Sequence, residues 1–316
     1  MIKTYFLNSQ KLPLVAESDN QDKSLKKLSD LAMTQRDFFR AALLRHGAVL
    51  LRGFDVRTID EFERFVRLFS GADFFNYAGG VSPRRALSGG VYTSTEYPPH
   101  LALALHNELS YSDVSPRHLY FFCHTAPETG GATTLGDSRQ ILRNINPKTL
   151  GLFKYKRVRY DRNLIDDANS DYSWQAAFET DDKAAVENQC RVISAEFDWK
   201  AHGNLRVSQT RPATATHPET GEEVWFNQAD GFHPSNLDAE TRGWFVENGE
   251  DFRLDAHFGD GSPIAASMLE EIRQVLQKET IPHQWQASDI LILDNMLTAH
   301  GRMPFSGARR IALAMT

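Results

Sequence analysis

The pairing of His106-x-Glu108 with a remote His300 constrains this chain more than any other feature. Leu103 to Glu108 alternates in the manner of a strand. On a strand, successive side chains take opposite faces, so His106 and Glu108 project together while Asn107 points away. One imidazole and one carboxylate make two-thirds of a facial site for a divalent metal with open positions, the set suited to non-haem Fe(II). A third ligand is sought in Asp294-Asn-Met-Leu-Thr-Ala-His300-Gly-Arg302, directly after the apolar strand Asp289–Leu293. Only a folded sheet brings His300 back to His106.

The rest of the sequence supplies such a sheet. After Asn76 the texture is one of short apolar strands broken by glycines and turns. Strands are predicted over His118–Cys123, Ala132–Leu135, Val224–Phe226, Asp289–Leu293 and Arg309–Met315. Gly151–Tyr160 is basic and alternating, and is read as a strand as well. Before Asn76 come a polar, irregular lead-in over Gln10–Lys27, a helix over Gln35–Arg45 capped by Thr34 and ended by Gly47, and a strand over Ala48–Arg52. A further helix opens with the capping box Thr58-x-x-Glu61 and carries Phe62, Phe65, Val66 and Phe69 on one face. Later helices are predicted from Asp137 through Leu142 and over Met268–Val275. This pattern predicts a mainly β protein, a sandwich or barrel with flanking helices. The helical lead-in spans about 28–75. A polar insertion, about 161–200, either covers the pocket mouth or forms a plain solvent loop.

Composition excludes several classes. A hydrophobic content of 41% over 316 residues sustains a large core, and the chain is read as a single domain, 1–316. A net charge of −6, with no dense Lys/Arg block, argues against nucleic-acid and anionic-membrane partners. Cys123 and Cys190 make neither a disulfide framework nor a C-x-x-C site. With no signal peptide and no long apolar run, a cytoplasmic location is expected.

Arg309, at the start of the last strand, offers a bidentate fork for a carboxylate. Arg45–Phe54, Gly79–Arg84, Tyr92–Pro98, His106–Tyr111, Gly130-Gly-Ala-Thr133, His217–Glu222 and Asp294–Met315 together resemble the taurine-dioxygenase-like (TauD/TfdA) family of Fe(II)- and 2-oxoglutarate-dependent oxygenases. Within it, the chain is similar to the branch of syringomycin-type aspartate hydroxylase and clavaminate-synthase-like enzymes. The resemblance implies a double-stranded β-helix (jelly-roll) core. It makes His106, Glu108 and His300 the iron ligands, with Thr133 and Arg309 holding the distal carboxylate of 2-oxoglutarate. The histidine-to-arginine spacing is shorter than in taurine dioxygenase, which leaves Arg310 as the rival anchor; the branch pattern Arg-x-hydrophobic favours Arg309.

The implied reaction is hydroxylation, with O2 and 2-oxoglutarate as co-substrates, of an amino acid or amino-acid-derived metabolite, free or presented by a carrier protein. Related halogenases lack the carboxylate ligand, so Glu108 favours hydroxylation or desaturation. Alternatives are the same chemistry on a sulfonate, betaine or phenoxy acid, and a non-catalytic metal-binding jelly roll that senses a ligand. Arg84, Asn107 and Ser110 are candidate substrate contacts, with Tyr77, Ser82 and Arg85 nearby on the loop Asn76–Arg85. Asn227 is read as contact or core satisfaction alike. His100, His118, His124, His217, His233 and His257 are read as structural.

Overall fold

Strand pairing organises the molecule around two sheets. The computed structural model describes residues 2–19, 21–75, 84–95 and 97–316. The larger sheet has eight strands in the order Ile2–Phe6, Leu14–Ser18, Ala48–Arg52, Ile290–Asp294, His118–Thr125, Arg310–Met315, Val91–Thr93 and Ala86–Ser88. The smaller has four: Ile281–His283, Thr133–Asp137, Thr298–Arg302 and Leu103–His106. All these pairings are antiparallel except that of Leu14–Ser18 with Ala48–Arg52. The main core lies between the sheets, where Leu119, Phe121, Leu291 and Leu313 of the larger meet Leu105, Leu135 and Ala299 of the smaller. This is the expected double-stranded β-helix.

The central strands of the larger sheet are buried on both faces, so their sequences read as unbroken apolar runs. The face turned from the main core, with Val49, Tyr120, Phe122 and Ile292, is covered by helices carrying Phe39, Leu43, Phe62 and Phe65. Helix Ile59–Ser70 has the predicted capping box and an αL stop at Gly71. Phe62 stacks on Phe122 with ring centroids 5.2 Å apart. Fully burying each such side chain contributes about 1.5–3 kcal/mol.

Four local expectations are corrected. The lead-in Gln10–Lys27 contains the strand Leu14–Ser18 and the start of a helix, Leu25–Thr34. Thr34 does not cap the next helix, Arg36–His46. It ends the preceding one, with its hydroxyl bonded back to the Asp30 carbonyl at 2.8 Å. Most of Gly151–Tyr160 belongs to helix Pro147–Lys156, started by an Asn146 cap and Pro147 in its first turn; the strand begins only at Val158. The metal-bearing strand stops at His106, and Glu108 sits in a turn closed by Ser110 N–H to the Asn107 carbonyl.

The stretch 161–200 is neither wholly insertion nor plain loop. Strand Val158–Leu164 runs into it within a further sheet ordered Glu196–Trp199, Leu205–Arg211, Val158–Leu164, Leu254–Phe258. Helices Trp174–Phe178 and Lys183–Val192 pack on that sheet around a satellite core of Leu164, Trp174, Phe178, Val186 and Cys190. Both cysteines are buried and free. Among the described residues, no helix is long and apolar enough to cross a membrane.

Candidate metal centre

His106 and His300 face each other across a strand pair. They are register partners, and their ring centroids lie 4.4 Å apart. The register shifts between His300 and Arg302, where Gly301 lets the strands approach; a Cβ on Gly301 would run into the carbonyl oxygens of Leu103 and Ala104. His106 Nδ1 donates to the Ala104 carbonyl at 2.9 Å. A carbonyl can only accept, so Nε2 keeps its lone pair for a ligand.

Glu108 reaches the same point from its turn. One donor atom from each of His106, Glu108 and His300 falls within 4.8 Å of the others. Glu108 Oε2 lies 3.7 Å from His300 Nε2. The turn is held by Asn295, which is fully buried. Asn295 Oδ1 accepts the Glu108 N–H at 2.8 Å, and its Nδ2 donates to the carbonyls of Glu108 (3.0 Å) and Pro116 (2.9 Å). Leu109, next along, adopts φ 54°, a conformation a leucine holds only when its surroundings impose it. The chain segments carrying Glu108 and His300 are thus tied directly to each other.

The donor set fits a divalent cation. Burial, with His106 and Arg84 close by, pushes the His300 imidazole well below its ordinary pKa, so the ring is neutral. Its Nδ1 is buried with no hydrogen-bond partner among the described residues. Two imidazoles and a carboxylate converging at a largely buried point fit a metal better than they satisfy one another.

Thr133 and Arg309 line the same cavity as His106 and His300. The Arg309 guanidinium donates to the Gly131 carbonyl at 3.1 Å and to Ser94 Oγ at 3.4 Å. Burial, with Arg302 close by, lowers its pKa to about 10. Arg310 is exposed and lines only an adjoining cavity of about 750 Å³, with which the first shares Ser94, Thr95, Arg302 and Arg309.

The candidate substrate contacts divide. Arg84 enters the metal cavity, but its guanidinium pairs with Glu108 Oε2 at 2.6 Å, both side chains being almost fully buried. Asn107 and Ser110 do not line the cavity. Asn107 Nδ2 donates to Ser138 Oγ and to the Asn295 carbonyl, and Ser110 Oγ accepts from Gln228 Nε2. Their side chains brace the turn behind Glu108. Asn227 likewise satisfies the core, bonding the Ala213 carbonyl and the Ala229 N–H. Arg85 lines the adjoining cavity, whereas Tyr77 and Ser82 fall outside the described residues. His217 is structural as read: its Nδ1 accepts two backbone N–H groups, and its Nε2 faces Asp294 at 3.0 Å.

Three participants escaped the sequence reading: Asn295, Trp285 and Arg302. Arg302 donates to the carbonyls of Tyr97, Pro98 and Leu101, pinning that segment to the cavity wall. Trp285 gave one usable signal, since a buried indole N–H needs an acceptor.

Comparison with known proteins agrees with this architecture. The family model described as taurine catabolism dioxygenase TauD, TfdA family matches residues 8–316. The chain is 36% identical over 276 residues to the dapdiamide synthesis protein DdaC of Enterobacter agglomerans, spanning 86% of this chain and 83% of that one. It is 29% identical over 300 residues to a clavaminate synthase-like protein of Arabidopsis thaliana, spanning 92% and 88%. The solved structure of PvcB, titled as an Fe, alpha-ketoglutarate dependent oxygenase from an isonitrile synthetic pathway, matches with a TM-score of 0.56 at 15% identity. That match covers 99% of this chain and 90% of PvcB, and speaks to the fold.

Proposed function

Because this chain belongs to the TauD, TfdA family of iron- and 2-oxoglutarate-dependent dioxygenases, we propose that it hydroxylates an unactivated C–H bond of an amino acid or amino-acid-derived metabolite, free or carrier-bound. The observation that carries the assignment of the site is the meeting of His106, His300, Thr133 and Arg309 on one cavity wall, with Glu108 alongside. His106, Glu108 and His300 hold Fe(II); Thr133 and Arg309 hold the distal carboxylate of 2-oxoglutarate. The bound iron and co-substrate supply the oxidising power, with O2 consumed as 2-oxoglutarate is decarboxylated to succinate and C–H becomes C–OH.

The protein's own contribution is positioning and exclusion of water. Ala104 sets the His106 tautomer, and Asn295 fixes the Glu108 backbone. Phe121, with its ring centroid 5.2 Å from that of His300, walls the site with apolar surface. Arg309 is favoured over Arg310 because it alone lines the cavity of the two histidines.

The substrate class is supported by likeness to a protein of dapdiamide synthesis and by the adjoining cavity. At about 750 Å³ that cavity admits a metabolite of amino-acid size and more, and Arg85, Arg310 and His124 on its wall suit a carboxylate. On the same reading the chain acts as a single catalytic domain in the cytoplasm.

The test is succinate release from 2-oxoglutarate, with Fe(II) and O2, across panels of amino acids, sulfonates, betaines and phenoxy acids. Stimulation by an amino acid, with a product 16 mass units heavier, is the expected result. Stimulation by a sulfonate, betaine or phenoxy acid alone would overturn the substrate class and leave the chemistry standing. Full metal affinity in His106→Ala would overturn the ligand assignment.

A further inference from the structure

Trp285 and Thr133 share a hydrogen bond across the edge of the smaller sheet. Trp285 Nε1 donates to Thr133 Oγ1 at 3.0 Å, and both side chains are buried. An indole nitrogen can only donate, whereas a threonine hydroxyl has one hydrogen to give and lone pairs to receive. The hydroxyl is therefore the acceptor in this pair, and its own hydrogen must point elsewhere. Among the described residues nothing accepts that hydrogen, while Thr133 lines the cavity that also holds Arg309. The indole is itself held. His283, buried and in register with Thr133, packs edge-on against it with centroids 4.8 Å apart at 76°.

We propose that Trp285 is a positioning residue that fixes the polarity of Thr133. By occupying an acceptor site of the hydroxyl, it turns Thr133 into a committed donor beside the Arg309 guanidinium. That wall then selects a carboxylate end group over a neutral one. The inference rests on the reading of Thr133 as a contact to 2-oxoglutarate. Alone, a threonine hydroxyl would serve a donor or an acceptor equally, and Arg309 alone would bind an anion with less directional control.

The experiment compares Trp285→Phe with the unsubstituted enzyme, both loaded with Fe(II) without oxygen, by calorimetric titration. Two ligands are used: 2-oxoglutarate, and 2-oxovalerate, which has the same length but a methyl in place of the distal carboxylate. Losing one buried hydrogen bond should weaken 2-oxoglutarate about 3- to 10-fold and leave 2-oxovalerate unchanged. Thr133→Val should weaken 2-oxoglutarate at least as much, and adding Trp285→Phe to it should change affinity by less than about twofold.

A second readout needs no change at Trp285. The indole N–H resonance of Trp285 should shift when 2-oxoglutarate binds and stay in place with 2-oxovalerate. Equal weakening of both acids by Trp285→Phe, additive losses in the double variant, or an indole signal indifferent to 2-oxoglutarate would each overturn the proposal. If Thr133→Val itself leaves 2-oxoglutarate affinity intact, the co-substrate reading of Thr133 falls too. If Thr133→Val weakens binding and Trp285→Phe does not, only the role of Trp285 falls.

Discussion

Removing the Asn295 side chain should cost both stability and metal affinity, in amounts that follow from its bonds. Asn295→Ala leaves the Glu108 N–H and the carbonyls of Glu108 and Pro116 without the partner each has now, in a place with no solvent exposure. An unsatisfied buried polar group costs about 1–3 kcal/mol, and partial relaxation of the turn offsets some of it, so roughly 3–5 kcal/mol of unfolding free energy should go. The loss is concentrated on the turn that carries Glu108, so Fe(II) affinity should fall about 10- to 100-fold, the range for groups that orient a metal ligand. Asn295→Asp should not rescue it. The retained oxygen can still accept from Glu108, but the other would face two carbonyl oxygens in place of donating to them.

Urea unfolding followed by circular dichroism measures the first effect, and competition with a chelator the second. Asn144→Ala, which breaks a single exposed bond to Glu279, is the control and should change stability by less than about 0.5 kcal/mol. A stability loss below about 1 kcal/mol for Asn295→Ala would refute the bond accounting. A large stability loss with unchanged metal affinity would refute the claim that Asn295 positions Glu108.

Three further outcomes are expected. Arg309→Ala should raise the apparent KM for 2-oxoglutarate at least about 30-fold, because truncating one partner of a buried charge pair costs 2–5 kcal/mol; exposed Arg310→Ala should change it little, and steady-state kinetics with the reverse ranking would move the anchor by one residue. Gly301→Ala should destabilise the fold by about 1–3 kcal/mol and weaken metal binding, since the new methyl group would push the His300 strand off that of His106; chelator competition showing full affinity would rule out the close approach. In the outlying sheet, burial raises the Asp161 carboxyl, but hydrogen bonds from His257 and Ser208, with Arg159, outweigh it and hold its pKa at about 2 against an ordinary 3.8. A depressed pKa contributes stability above the unfolded value and loses it as the carboxylate protonates, so the stability gap between wild type and Asp161→Asn should be full above pH 3.8 and vanish towards pH 2; a gap independent of pH over that range in denaturant titrations would show that Asp161 is not held as a charged group.

What the sequence revealed was local, and what it concealed was distant. The Thr58 capping box and the Gly47 stop are legible because their partners lie within four residues. The triad was legible because His and Glu are scarce in apolar strands, even though the strand itself ends at His106 and the shared face of His106 and Glu108 comes from a turn. Gly151–Tyr160 was misread because alternating basic residues suit a helix's exposed face as well as a strand, and the Asn146-Pro147 start signal lay just outside that window. Asn107 and Ser110 drew attention by adjacency to the ligands, yet their partners Asn295 and Gln228 lie more than 100 residues away. The bond between Trp285 and Thr133 spans 152 residues. No periodicity encodes such a pairing.

The charge pattern around the site explains why these distant pairings converge where they do. Arg302 and Arg309 are both largely buried, and among the described residues neither has a carboxylate partner; the hydrogen bonds they make go to carbonyls and a hydroxyl. Burial lowers the pKa of each, and in Arg309 the neighbouring Arg302 lowers it further, a sign that the fold holds positive charge it does not itself neutralise. Such a charge is costly unless something pairs it. On the proposed reading that something is the co-substrate dianion, whose distal carboxylate meets Arg309 and Thr133 while its other end approaches the metal. Arg84 shows the same principle from the opposite side, since a cation already sits against Glu108, the one carboxylate of the triad. On that reading the dianion offsets the two positive charges, Arg302 and Arg309, that the polypeptide leaves open. On the same reading, selectivity for a dicarboxylate follows from that imbalance as much as from the shape of the cavity.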